Sequence, residues 1–178
     1  MNINDQIDWF ARRPPSHLMG LVSNDCPELN MGVGGHGEEI AIGFRLKCKC
    51  GSQSFSVSAY RWRRKPDSPE ALISPILASC HDCGTSLLVF DSDQHGYDPV
   101  ACGTSSLARG EREQGATEQK VSSGAPHAID IVAYYPDDLF EADFEEFADR
   151  RSDLFTWLRI IVGENTDPDY PLLDFECA

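Results

Sequence analysis

Seven cysteines, four of them gathered into two pairs that each run straight into glycine, constrain this chain more than any other feature. Cys48 and Cys50 lie in CKCGS at 48–52, and Cys80 and Cys83 in CHDCGT at 80–85. In a Cys-x-x-Cys-Gly turn both sulfurs converge on one ion and backbone N–H groups donate to the thiolates, while glycine removes the Cβ that would obstruct so tight a turn. The second pair has this spacing. The first is one residue shorter, but alternate residues of an extended strand share a face, so Cys48 and Cys50 still point together. Four thiolates meet the donor requirement of a closed, structural Zn²⁺ site. An odd number of cysteines, without an export signal at the start of the sequence, suits reduced or metal-bound thiols better than a disulfide framework.

With these residues in view, the segment 44–90 resembles a zinc ribbon, in which two glycine-ended knuckles at the tips of β-hairpins clamp one zinc. The resemblance implies Cys48, Cys50, Cys80 and Cys83 as the ligands. Two departures accompany it: the short first knuckle, and 29 residues between Cys50 and Cys80, where the simplest form has about 15 to 20. A strand pair around KPDSPEALISP accounts for the excess and leaves both knuckles at one end. A thioredoxin-like role for CHDC is the main rival, but it requires the pair at a helix N-terminus, and here glycine leads into the strand-like TSLLVF. Iron in a rubredoxin-like site would use the same four sulfurs, so the metal stays open between zinc and iron. Cys26, Cys102 and Cys177 read as small buried hydrophobes.

Alternation places the strands. In IAIGFRLKC, Ile40, Ile42, Phe44, Leu46 and Cys48 fall on one side, with Arg45 and Lys47 on the other. Further strands are expected at 54–64 and in LISPILASC, TSLLVF and AIDIVAYY. The segment 101–126 is poor in large apolar residues and reads as a mobile loop. Pro136, Asp137 and Asp138 read as a helix start, with Phe140, Phe144, Phe147 and Ala148 on one face. A second helix is expected from Ser152 as N-cap to Gly163, with Leu154, Leu158 and Ile161 along its stripe. The expected fold class is α+β: one domain over 1–178, a small, mainly antiparallel β-sheet carrying the zinc-ribbon-like four-cysteine site, and two C-terminal helices, within 136–163, packed on it.

Charge bears on partners. The formal net charge is −14, and from Asp137 onward there are 13 acidic and 3 basic residues. Between Arg45 and Lys65 there are seven basic residues and no acidic ones. Lys47, Lys49 and His81 are close enough in sequence to offset the formal −2 of a four-thiolate zinc site. Tyr60, Arg61, Trp62, Arg63 and Arg64 form a strip that fits single-stranded nucleic acid or an acidic protein surface; a solvated strand end is the commoner outcome for such a strip. No apolar run approaches the roughly 20 residues needed to cross a bilayer, so a cytoplasmic protein without a membrane partner is expected.

Two other segments invite chemistry. DSDQHGYDPVAC has acids at positions 1 and 3 of a calcium loop and Gly96 at position 6, but His95 at position 5 and Cys102 at position 12 depart from it. It reads as a polar turn, with Asp91, Asp93 and His95 as a candidate second metal site. GVGGHGEE lacks the Gly-Lys-Ser/Thr ending of a phosphate loop and reads as a turn, with His36, Glu38 and Glu39 as candidate acid–base residues. No catalytic motif appears, and a site closed by four sulfurs leaves no position for a catalytic water. The expectation is therefore a non-enzymatic zinc protein that binds another protein, as acidic inhibitors or immunity-type proteins do. The alternative is nucleic-acid association through residues 60–65.

Overall fold

The computed structural model describes residues 1–23, 39–62, 71–102, 117–120, 126–163 and 172–176. Period-two alternation dictates most of its architecture. One sheet contains, in spatial order, β1 (Val22–Ser23), β2 (Glu39–Leu46), β7 (Ile129–Pro136), β8 (Trp157–Val162) and β9 (Leu172–Glu176). The other contains β5 (Ser86–Phe90), β4 (Ala71–Cys80), β3 (Phe55–Trp62) and β6 (Thr117–Lys120). Every pairing among these strands is antiparallel. Ile40, Ile42, Phe44 and Leu46 of β2, Ile129, Ile131 and Ala133 of β7, and Leu158, Ile160 and Val162 of β8 share one hydrophobic cluster with Phe55, Val57, Ile76, Ala78, Leu87 and Val89 of the other sheet. The inner faces of two sheets thus form one core, the arrangement that lets each sheet bury its apolar side.

The expected second C-terminal helix is absent: residues 157–162 are β8, paired between β7 and β9. Leu154, Leu158 and Ile161 do fall at helical spacing, but Ile160, Ile161 and Val162 are stiff β-branched residues that favour a pleated strand. Leu158, Ile160 and Val162 face the shared core, while Ile161 packs with Ala41 and Val132 on the outer face. A strand apolar on both faces fits either period, and here the sheet decides it. Ser152 is correspondingly no N-cap; it lies inside consecutive 3-10 turns at Ala142–Asp153. Pro136 closes β7 rather than opening a helix. The fold is therefore mostly antiparallel sheet with few helical segments. Within 101–126, Thr117–Lys120 is an edge strand on β3; an edge is held by main-chain hydrogen bonds and needs no apolar sequence. Pro75 interrupts a central strand, where the missing N–H is accommodated at a register shift between β3 and β4.

At the N-terminus, Asn2 caps helix α1 (Ile3–Ala11) by accepting a hydrogen bond from the Asp5 N–H. This helix buries Phe10, whose ring stacks on Tyr135 at 3.9 Å, while Trp9 meets Phe140 edge-on. Ser16–Leu18 then forms a 3-10 turn that is pinned by the Ser16 N–H donating to Asp153 at 2.6 Å.

On the outer face of the larger sheet, Arg45 and Asp130 are cross-strand partners joined by two charge-assisted hydrogen bonds of 2.7 and 2.8 Å. Such a fork is among the stronger side-chain pairs, and Asp130 is buried. Arg45→Ala should lower unfolding free energy by roughly 2 kcal/mol, because truncating one member leaves a poorly solvated charge behind. Urea denaturation at neutral pH measures it.

Candidate metal centre

The first knuckle is the crossover from one sheet to the other, since β2 and β3 belong to different sheets; the second links β4 to β5 within the smaller sheet. Antiparallel pairing of β3 with β4 sets Phe55 opposite Cys80, which brings the two turns to the same end. The His81 N–H donates to the Ser54 carbonyl at 2.9 Å and ties the second turn to the strand leaving the first. A ribbon's two hairpin tips are thus replaced by one hairpin and one inter-sheet link.

The turns are built alike, with a one-residue offset. In the second, the Cys80 N–H donates to the Thr85 carbonyl and the Gly84 N–H to the Cys80 carbonyl, both at 2.9 Å. In the first, the Cys48 N–H donates to Ser52 and the Gly51 N–H to Cys48, both at 2.8 Å. Each bond there spans one residue fewer, so the shorter Cys-x-Cys spacing is absorbed by a tighter turn. Both glycines have positive φ, 96° for Gly51 and 71° for Gly84, in the region where an L side chain is disfavoured.

The four sulfurs converge. Sγ of Cys48 lies 3.5 Å from Sγ of Cys83, Sγ of Cys50 lies 3.6 Å from Sγ of Cys80, and all four fall within 4.8 Å of one another. Tetrahedral metal–sulfur bonds of about 2.3 Å imply sulfur–sulfur edges of about 3.8 Å, so the donor set fits one ion. Cys48 and Cys80 are buried and Cys50 and Cys83 are exposed; all four are free of disulfides. No other group of three or more His, Cys, Asp or Glu side chains converges in this way among the described residues.

The main chain is arranged for thiolates. The N–H of the residue two positions on is directed at each sulfur: Cys50 at Cys48, Ser52 at Cys50, Asp82 at Cys80 and Thr85 at Cys83. The Thr85 hydroxyl, 3.2 Å from Sγ of Cys83, and then the Thr85 N–H hold the Cys83 thiol down to about 6. Cys80 is also lowered, its backbone donors outweighing burial as the largest opposing influence. Cys50 moves the other way, up to about 12; the Ser52 N–H acts to lower it, but hydrogen bonding to the neighbouring cysteines and burial prevail. Crowded thiolates repel, so without a cation some sulfurs must keep protons for others to lose theirs. A dication removes that conflict.

Among the described residues, the other candidates are not gathered into sites. Asp91 is buried with one carboxylate oxygen accepting the Asp93 N–H at 3.1 Å and the other accepting the Gln94 amide at 2.8 Å; Nδ1 of His95 accepts the Asp91 N–H at 3.0 Å. The polar turn closes on itself, and Asp91, Asp93 and His95 offer no convergent ligand set. Glu39 accepts a hydrogen bond from the Thr156 hydroxyl at 3.0 Å, a structural contact; His36 and Glu38 lie outside the described residues. Tyr60 is half-buried on β3, Arg61 and Trp62 complete that strand, and Arg63 and Arg64 lie outside the described residues, as do Cys26 and Cys177. Cys102 ends a short π-helical turn, Asp98–Cys102. Exposed His81 is 3.6 Å from the carboxylate of Asp82, while Lys47 and Lys49 are exposed beside the first knuckle.

One contact carried no local sequence signal. His17 and His95 stack face to face, with centroids 3.8 Å apart and planes within 6°. Nε2 of His17 donates to the Val89 carbonyl at 3.1 Å, and burial, then the neighbouring His95, lowers its pKa to about 3. His95 is lowered too, by burial first, against the pull of Asp91 and Asp153. The pair packs near Phe90 and Phe155, so it is a neutral, mostly buried contact between the N-terminal segment and the sandwich.

No helix among the described residues is long and apolar enough to cross a membrane. No protein-family model, curated protein or solved structure matches this chain, so its reading rests on the four-cysteine centre alone.

Proposed function

We propose that the protein binds one Zn²⁺ at Cys48, Cys50, Cys80 and Cys83, that the ion is structural, and that the protein acts by binding another protein rather than by catalysis. The observation that supports this reading best is the placement of four sulfurs within 4.8 Å of one another. When bound, the ion supplies cross-linking charge and no open coordination position. The chain's own residues do the rest: two glycine turns aim the sulfurs, backbone N–H groups favour their thiolate forms, and Thr85 sets its hydroxyl 3.2 Å from Sγ of Cys83. The site ties the inter-sheet crossover to the β4–β5 turn, so metal binding stiffens one end of the sandwich.

The partner proposed is a basic protein. Asp137, Asp138, Glu141, Asp143, Glu145, Glu146 and Asp149 are all exposed on the stretch that follows β7. Such a surface speeds encounter with a positive partner and repels nucleic acid at long range. Two measurements test the two halves of the reading. Replacement of the native ion by Co²⁺ should produce the intense thiolate charge-transfer and tetrahedral d–d absorption of a four-sulfur site; spectra of an octahedral, oxygen-bound ion would reject it. Binding to a panel of basic proteins should weaken steeply as salt rises from about 50 to about 300 mM; affinity indifferent to salt, or for nucleic acid only, would reject the acidic face.

A further inference from the structure

We propose that the four cysteines are also a redox modification site, in which a hydroperoxide converts the metal clamp into two disulfides across the knuckles, Cys48–Cys83 and Cys50–Cys80. This rests on the metal reading above and concerns what replaces the ion when it leaves. The geometry carries it. The sulfur contacts of 3.5 and 3.6 Å both join one knuckle to the other, and each joins a buried sulfur, Cys48 or Cys80, to an exposed one, Cys83 or Cys50. Each pair therefore joins an exposed cysteine, the one peroxide meets first, to a buried cysteine whose sulfur is in contact with it. Pairing inside the first knuckle would instead close a ring across one intervening residue, which strains the preferred disulfide geometry.

The chemistry balances with the peroxide as sole oxidant. The exposed thiolate of Cys83 attacks one peroxide oxygen, the O–O bond breaks, the leaving alkoxide or hydroxide takes a proton, and Cys83 becomes a sulfenic acid. The Cys48 sulfur then attacks the Cys83 sulfur, the S–O bond breaks, and the hydroxide leaves as water after taking a second proton. Cys50 and Cys80 repeat the sequence. Two peroxides are reduced and four thiolates oxidised per chain, four protons are consumed, and the ion departs as a dication because its ligands no longer carry charge. The new bonds join the crossover and the β4–β5 turn as the ion did. The oxidised state therefore keeps the knuckles in place, and a disulfide reductant reverses it.

The test treats the metal-loaded protein with hydrogen peroxide and follows the ion with a chromogenic chelator, the disulfides by peptide mapping, and the turns by hydrogen exchange at residues 47–53 and 79–86. The expected result is release of one ion per two peroxides consumed, linkage of Cys48 to Cys83 and of Cys50 to Cys80, and protection in both turns within about threefold of the loaded protein. Chelator with reductant should then abolish that protection. Links within a knuckle, sulfinic or sulfonic acids as main products, or turns that lose protection on oxidation would each overturn the proposal. Mapping the same links in metal-free protein treated with peroxide separates the two readings. Protein that takes up no ion before oxidation sinks the metal reading, cross-knuckle links formed in it leaving the thiol chemistry of the site standing, whereas an ion released without those links sinks the redox site alone.

Discussion

Replacing Cys80 with serine should cost the folded state about 4 kcal/mol or more, equivalent to a fall in Tm of roughly 10 °C. Cys80 is 2% exposed at the end of β4, and its sulfur lies 3.6 Å from that of Cys50 across the gap between knuckles. Three thiolates and a hydroxyl hold a soft-ligand site poorly, and a metal bound at a thousand times its Kd stabilises the native state by about 4 kcal/mol, all of which would be lost. Packing alone predicts much less, since serine is close to cysteine in size. The discriminating measurement is therefore a cycle with Cys50→Ser. If one ion joins all four sulfurs, the double variant should be scarcely less stable than either single variant, and chelator should destabilise wild type only. Additive losses would mean four separate thiols.

The second large effect concerns acid. His17 titrates at about 3 in the fold because burial, and then the neighbouring His95, lower it, against the Val89 carbonyl, whose hydrogen bond with Nε2 favours the protonated ring. In the unfolded chain an imidazole takes its proton near 6.5. The folded pKa is the lower one, so the site has no effect on stability well above 6.5. As pH falls below that value the unfolded state gains a proton that the native state refuses, and stability drops until about pH 3. At pH 5 the loss from this residue is about 2 kcal/mol relative to pH 8. His95, lowered by burial despite Asp91 and Asp153, works in the same direction. Tyr135, raised by burial and by Asp153, stays protonated across this range and adds nothing. His17→Gln should therefore lose less stability between pH 8 and pH 5 than wild type, by roughly that amount in urea denaturation. Taking the difference between the two proteins at each pH cancels acid effects at the cysteines, which both share. Equal acid sensitivity in the two would show that His17 is not held neutral by the fold.

Much of this architecture was legible, for identifiable reasons. The alternation of Ile40, Ile42, Phe44 and Leu46 marked a strand whose inner face is fully buried, and the regions marked at 54–64, 72–80, 85–90 and 128–135 correspond to β3, β4, β5 and β7. The cysteine pairs were legible because metal chemistry demands adjacent ligands in sequence, and the demand leaves a spacing. Three things were not. β8 carries apolar residues on both faces because Ile161 packs on the outside of the sheet, which erased its period. Edge strands β6 and β9 rely on main-chain pairing. The His17–His95 stack joins residues 78 positions apart through tertiary packing, for which no local pattern exists. Helix α1 did have a signal, Asn2 followed by apolar Ile3, Ile7 and Phe10.

On the two proposals above, the metal-bound and the oxidised forms would be two states of one clamp. Its position between an inter-sheet link and a hairpin explains why either kind of bond would serve: what matters to the sandwich is that Cys48 and Cys50 stay joined to Cys80 and Cys83. Cys48 and Cys80 belong to the same apolar cluster as Phe10, Tyr135 and Phe155, so the clamp is continuous with the core of the sandwich.

Elemental analysis of protein purified without added metal, together with the alkylation rate of each thiol, tests the central claim most directly. The account predicts one zinc per chain and slow alkylation at Cys48, Cys50, Cys80 and Cys83 that becomes rapid when zinc is chelated. Protein that carries no tightly held metal, with these four thiols already reacting as freely as an exposed cysteine, would contradict it.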